Sequence, residues 1–227
     1  MTFLAEIQSS ILDLPAEERE TLLEWLSSLV KAPGRVAEPA AAYAAEVRDP
    51  MSFEEYMEFE ERSPIKHEYL AGQVFAMSGV TKRHNRIAGR LYGACANHLR
   101  GGSCEPFFSD VKVRLEIGSD VYVYYPDLMV VCDPREQEDR YVANPKVIVE
   151  VLSESTARID RHEKRLNYGL IRTLEEYAIV AQEIVQVTVF RRRENWQPDV
   201  LDSLDAALEL RSIGLAVPLA QIYDGVW

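Results

Sequence analysis

No apolar run in this chain of 227 residues approaches the roughly 20 residues that cross a bilayer, so a membrane span is not expected. Its first residues, Met1-Thr2-Phe3-Leu4-Ala5-Glu6, lack both the basic start and the apolar stretch of a secretory leader. Cysteine is scarce: Cys95, Cys104 and Cys132 are odd in number and none lies in a CxxC pair. That pattern disfavours a zinc site and leads us to expect reduced thiols in a cytoplasmic protein. No G-x-G-x-x-G follows a strand, and Gly89 and Gly93 fall inside an expected helix, so a Rossmann fold is disfavoured. Neither Ser153 nor Ser155 sits in a G-x-S-x-G turn, and serine hydrolysis is set aside.

Positive charge is also short. The formal net charge of −12 argues against a generic nucleic-acid binder. Its distribution softens the argument, because residues 1–62 hold fourteen acids against five bases, and the rest twenty-three against twenty. Lys82, Arg83, Arg86, Arg90 and Arg100 fall in a stretch with no acid at all. A polyanion could approach there, and an ordinary solvated helix face reads equally well.

What is present divides into residues 1–50 and 51–227. The first part reads as two short helices over 5–31, with an apolar stripe from Leu22 to Leu29, then an Ala/Pro-rich linker. In the second, Ser52-Phe53-Glu54-Glu55 is a capping box opening a helix to about Arg62. Residues 66–77 suggest a hairpin turning at Ala71-Gly72, and Thr81 can cap a helix to about Arg100. Strands are expected at 107–116, 121–132, 146–152, 176–181, 184–193 and 207–210, with a helix near 158–170. Helices flanking a mixed sheet give an α/β or α+β architecture.

Two of these strands carry acids among strand-forming residues: Asp127 in Tyr125-Pro126-Asp127, and Glu150 in Val147-Ile148-Val149-Glu150-Val151-Leu152. A carboxylate is costly to bury without a partner or a cation. Two on neighbouring strands suit a hard divalent metal. Pro126 cannot donate to a sheet ladder, so Asp127 is expected at a strand start or bulge, where side chains are often aimed at a site. On the next helix, Asp160, Lys164 and Tyr168 share a face by their spacing, and Lys164 could reach the acids; an exposed Asp160–Lys164 pair is the plainer alternative. Glu68 is a candidate third carboxylate. Asp110 reads as an exposed hairpin acid and Asp133 as a turn residue. His84, in the first turn after Thr81, could contact phosphate or serve as a structural histidine.

Together, Tyr125-Pro126-Asp127, Glu150-Val151-Leu152-Ser153-Glu154-Ser155-Thr156 and Asp160 to Tyr168 resemble the Uma-type restriction endonuclease family of the PD-(D/E)XK nuclease superfamily. Lys66 to Gly72, His84 to Ile87 and Ser109-Asp110-Val111 carry the same resemblance, which spans about residues 51–225. It implies a restriction-endonuclease-like core, Mg²⁺ or Mn²⁺ as cofactor, and nucleic acid, DNA foremost, as substrate. It implies Asp127 and Glu150 as metal ligands, with the Val151 carbonyl a further one and Glu68 an extra acid. One departure matters: the superfamily lysine falls two residues after Glu150, where this chain has Leu152. The resemblance offers Lys164 as its replacement. His84, Arg86 and Tyr168 are then candidate substrate contacts, and a homodimer is the expectation for cutting two strands. A competing reading is a catalytically inactive nuclease-like module that binds nucleic acid or a protein, motivated by Leu152, the acidic balance and the leucine-rich N-terminus.

Overall fold

The capping box at Ser52 forms as expected: Ser52 Oγ accepts the Glu55 N–H at 3.2 Å, and Glu55 Oε2 accepts the Ser52 N–H at 2.8 Å. It opens helix α1, Phe53–Arg62. The computed structural model describes residues 50–136, 138–153 and 163–227. The helices expected over 5–31, nearly all of the linker, Ser155 and Asp160 lie outside the described residues.

Strands β1 (His67–Leu70) and β2 (Gln73–Ala76) form the hairpin, with Leu70 opposite Gln73. Its two turn residues both take positive φ, 49° at Ala71 and 95° at Gly72, as a two-residue turn between twisted strands requires. Thr81 Oγ1 accepts the His84 N–H at 3.1 Å and so caps helix α2, Lys82–His98. Ile87, Leu91 and Cys95 line its buried face at helical spacing.

Two expected strands each break in two. The stretch 107–116 becomes β3 (Glu105–Phe108) and β4 (Lys112–Ile117), parted at Ser109 with φ 49°. The stretch 121–132 becomes β5 (Asp120–Tyr124) and β6 (Leu128–Val131), parted at Pro126, which has no N–H for a ladder. Then come β7 (Tyr141–Val142), β8 (Pro145–Val151), helix α3 (Arg165–Gly169), β9 (Glu176–Val180) and β10 (Val187–Arg191). The chain closes with β11 (Pro198–Leu201), β12 (Ala207–Leu210), β13 (Leu215–Pro218) and helix α4 (Leu219–Tyr223).

Among the described residues the strands form a five-stranded sheet, β2-β1-β5-β4-β7, a six-stranded sheet, β11-β10-β9-β8-β6-β3, and the pair β12-β13. The breaks are sheet switches. The chain leaves the six-stranded sheet at Ser109 and returns at Pro126, which puts Asp127 at a corner. Alternation along β6 and β8 then divides the core. Leu128, Val130, Val147, Val149 and Val151 pack with α2 and the C-terminal segment. Met129, Val131, Ile148 and Leu152 pack on the other face with Val113, Leu115 and Tyr124 of the five-stranded sheet and Tyr168 of α3.

One expectation is corrected. Cys104 and Cys132 are bonded, with Cα atoms 4.1 Å apart, rather than reduced. The antiparallel register of β3 and β6 pairs Glu105 with Val131 and so sets the two cysteines opposite each other. Cys95 is the free thiol, and burial pushes its pKa up to about 12. Among the described residues no helix is long and apolar enough to cross a membrane.

Candidate active site

Antiparallel pairing of Leu128 with Val149 brings Asp127, just before β6, beside Glu150 near the end of β8. The Val151 N–H donates to Asp127 Oδ2 at 2.7 Å, which locks the carboxylate to the neighbouring strand. Glu150 points to the face that carries Ile148 and Leu152, and is 3% exposed. Its Oε1 accepts the Tyr168 hydroxyl at 2.9 Å and lies 3.2 Å from Lys164 Nζ. The same ammonium lies 2.9 Å from Glu68 Oε1, on β1 of the other sheet. Lys164 is itself 3% exposed. Two buried carboxylates from two sheets thus share one ammonium, a geometry that compensates charges removed from water. Leu152, where the superfamily pattern would have its lysine, is buried among apolar neighbours.

His84 completes the inner wall. Its Nε2 lies 3.0 Å from Asp127 Oδ2 and 3.0 Å from the Val151 carbonyl oxygen. Glu68, His84, Tyr125, Asp127, Glu150, Val151, Ser153 and Lys164 line one cavity of about 70 Å³, closed on one side by the strap Ala76–Val80. Met77, Ser78, Gly79, Val80, His84, Tyr125 and Asp127 also line an adjoining hollow of about 480 Å³, together with Lys66, Ser109 and Asp110.

A supporting network that sequence reasoning missed holds this frame. Glu60 of α1 is buried; its Oε1 accepts the Tyr125 hydroxyl at 2.6 Å and the His67 backbone N–H at 2.9 Å, and its Oε2 meets His67 Nδ1 at 2.9 Å. The Tyr56 hydroxyl donates to the His67 carbonyl at 2.7 Å. Glu60 thereby ties the residue before Glu68 to the residue two before Asp127. A signal was available: Glu60 lies four residues after Tyr56 and three after Met57, on the buried stripe of its helix. Burial above all, with Tyr56 and Glu60 beside it, drives the Tyr125 phenol far above its ordinary value, so its hydroxyl stays protonated. The ammonium groups of Lys66 and Lys112 lie 5.6 and 5.4 Å from the centre of the Tyr125 ring.

Other expected site residues go elsewhere. Arg86 donates to the Gly225 carbonyl and does not line the cavity, because two residues along a helix from His84 is nearly the opposite face. Arg83 pairs with Glu183 and Arg90 with Asp224, so much of the basic stretch is tied to the same chain. Tyr168 is fully buried, and its hydroxyl donates to Glu150 from inside the core. Burial, and the Glu150 charge next, raise its phenol well above the ordinary range and keep it a donor. Asp110 is exposed and pairs with Lys66. Asp133 accepts from the Arg135 backbone and guanidinium, as a turn residue does.

The oxygen donors gathered here, three carboxylates and the Val151 carbonyl, suit a hard cation such as Mg²⁺ or Mn²⁺. Among the described residues no three His, Cys, Asp or Glu side chains form a ready cage.

Comparison with known proteins bears on the family and the fold. The sequence model of Uma2, described as "Putative restriction endonuclease", matches residues 53–220. The uncharacterized protein slr1290 of Synechocystis is 37% identical over 178 residues, 78% of this chain and 93% of that protein. A second Synechocystis protein, uncharacterized sll1609, is 31% identical over 141 residues, 61% of this chain and 78% of that protein. A crystal structure from Anabaena variabilis, of a "putative nuclease belonging to DUF820", superimposes with a TM-score of 0.64 at 15% identity, covering 78% of this chain and all of that one. At that identity the likeness bears on fold, and the fold is restriction-endonuclease-like, with mixed sheets flanked by helices. Because the family match runs through most of its length, this chain belongs to the Uma2 family.

Proposed function

We propose that this chain hydrolyses phosphodiester bonds in nucleic acid, DNA foremost, with Mg²⁺ or Mn²⁺ at the site just described. The observation that carries the reading is the meeting of Asp127, Glu150, Glu68 and Lys164 at one cavity, drawn from both sheets and a following helix. Asp127, Glu150 and the Val151 carbonyl would hold the cation. When bound, such a cation lowers the pKa of water and offsets charge on a phosphoryl group. Lys164 orients the attacking water and balances the negative charge that develops as it adds. Glu68 fixes the ammonium from the opposite side and can take a proton through water. Tyr168 keeps Glu150 in place. The larger hollow, with Lys66 on its wall, is where the strand would lie.

Cleavage of supercoiled plasmid and of single-stranded DNA, with each metal, tests the reading. Asp127→Ala, Glu150→Ala and Lys164→Ala should each lower the rate by about 10²-fold or more, on the scale of lost preorganised groups. Absence of cleavage with either metal, or full cleavage by Asp127→Ala, would overturn it.

A further inference from the structure

We infer that the hollow beside the cavity takes unpaired nucleotides, so that the substrate is a single strand or an opened stretch of duplex and not an intact double helix. This rests on the reading of the site as one that hydrolyses phosphodiester bonds. Charge is the first ground. The lysines lining the two spaces are Lys66 and Lys164, the acids are Glu68, Asp110, Asp127 and Glu150, and no arginine lines either. Lys164 is committed to Glu68 and Glu150. Lys66 pairs with Asp110, donates to the Ser109 carbonyl at 3.2 Å and lies 5.6 Å from the centre of the Tyr125 ring. One divalent cation would bring these acids and lysines to neutrality. It would leave no lining cation for the phosphates on either side of the scissile one. A duplex held through its backbone draws on several such contacts. On α2, which lends His84, Asn85 and Ala88 to the hollow, Arg83, Arg86 and Arg90 are turned to Glu183, the Gly225 carbonyl and Asp224.

The hollow offers apolar surface instead. Ile65 is 50% exposed and Val80 55%, two large aliphatic side chains left in solvent beside a polar site, and Pro64, Met77 and Phe108 line the same space. Phe108 is backed by Tyr92, with ring centres 5.2 Å apart. Such walls suit the faces of bases, which a duplex keeps stacked on one another and an unpaired strand exposes. Depth favours the same substrate. Glu68 and Glu150 are buried in the narrow cavity behind the strap. A duplex, stiff over about 50 nm, cannot curve one backbone into so small a recess, whereas an unpaired strand can.

Fluorescence anisotropy of the full chain, with Ca²⁺ as the cation, compares a short labelled DNA strand with the same strand in a blunt duplex. The strand should bind at least about tenfold more tightly, with a slope of log K against log salt shallower than about −2, since few counterions are released. Ile65→Ser/Val80→Ser alters two exposed side chains and leaves the core alone. It should weaken binding of the strand about tenfold, on the scale of one lost base contact. Cleavage with Mg²⁺ or Mn²⁺ should follow the same order, strand before duplex. A chain that binds and cuts the duplex as well as the strand overturns the inference and keeps the proposed hydrolysis. Strand affinity that the double variant leaves unmoved overturns the inference as well. A strand bound tightly through Ile65 and Val80, yet never cut with either metal, overturns the hydrolysis and keeps the nucleotide site. Binding of neither form overturns both.

Discussion

Lys164 has two buried acids as neighbours, at 2.9 Å from Glu68 and 3.2 Å from Glu150. Removing one partner of a buried ionic group costs about 3–5 kcal/mol, since the charges left behind lose their compensation. Lys164→Met should therefore lower the unfolding free energy by that order in urea titration. Adding Glu68→Gln should recover part of the loss, and a double-mutant cycle measures the coupling. Tyr168→Phe deletes a hydroxyl that donates to Glu150 at 2.9 Å. A hydrogen bond to a charged group is worth about 1.5–3 kcal/mol, so a loss of that size is expected in the same assay. Strong cleavage by a well-folded Lys164→Met chain would remove this lysine from the chemistry.

At the level of the element, the hairpin that carries Glu68 turns through Ala71, a non-glycine residue at φ 49°. Asn tolerates that conformation far better, and Asn-Gly is the favoured pair for such a turn. Ala71→Asn should raise stability by about 0.5–1 kcal/mol with cleavage unchanged, read as a higher melting temperature. The sequence revealed this hairpin, the capped helices, and the acids just before β6 and within β8 because each is written in local chemistry: turn residues, caps and alternation. It did not reveal that two strands would break and change sheets. Pro126 marked the second break, but Ser109 carries no such mark, since a serine at positive φ is set by the tertiary frame. The reach of Lys164 was equally hidden. Helical spacing allowed an exposed pair or a buried one, and only the packing of Tyr168 into the core decides between them. That Arg86 turns to the Gly225 carbonyl, away from the cavity, was hidden because charge density says nothing about which side of a helix meets the C-terminal segment.

For the molecule as a whole, Tyr56, Tyr124, Tyr125 and Tyr168 share one behaviour: burial raises each phenol above its ordinary value of 10.0. In the unfolded chain these groups ionise near pH 10, while in the fold they hold their protons. Unfolding then releases protons, so their contribution to stability is complete below about pH 10 and declines as pH rises above it. Urea midpoints measured from pH 8 to 11 should fall at the alkaline end, and the tyrosinate absorbance should appear together with unfolding. Thiol counting offers a further check. Unfolded without reductant, the chain should titrate as one thiol, Cys95, and with reductant as three. Finally, Glu68 belongs to one sheet and Glu150 to the other, and the corner at Asp127 joins them. Neither sheet alone holds the full set, so the proposed hydrolysis has its complete constellation only where the two sheets are docked, and an isolated sheet would be a scaffold without a reaction centre.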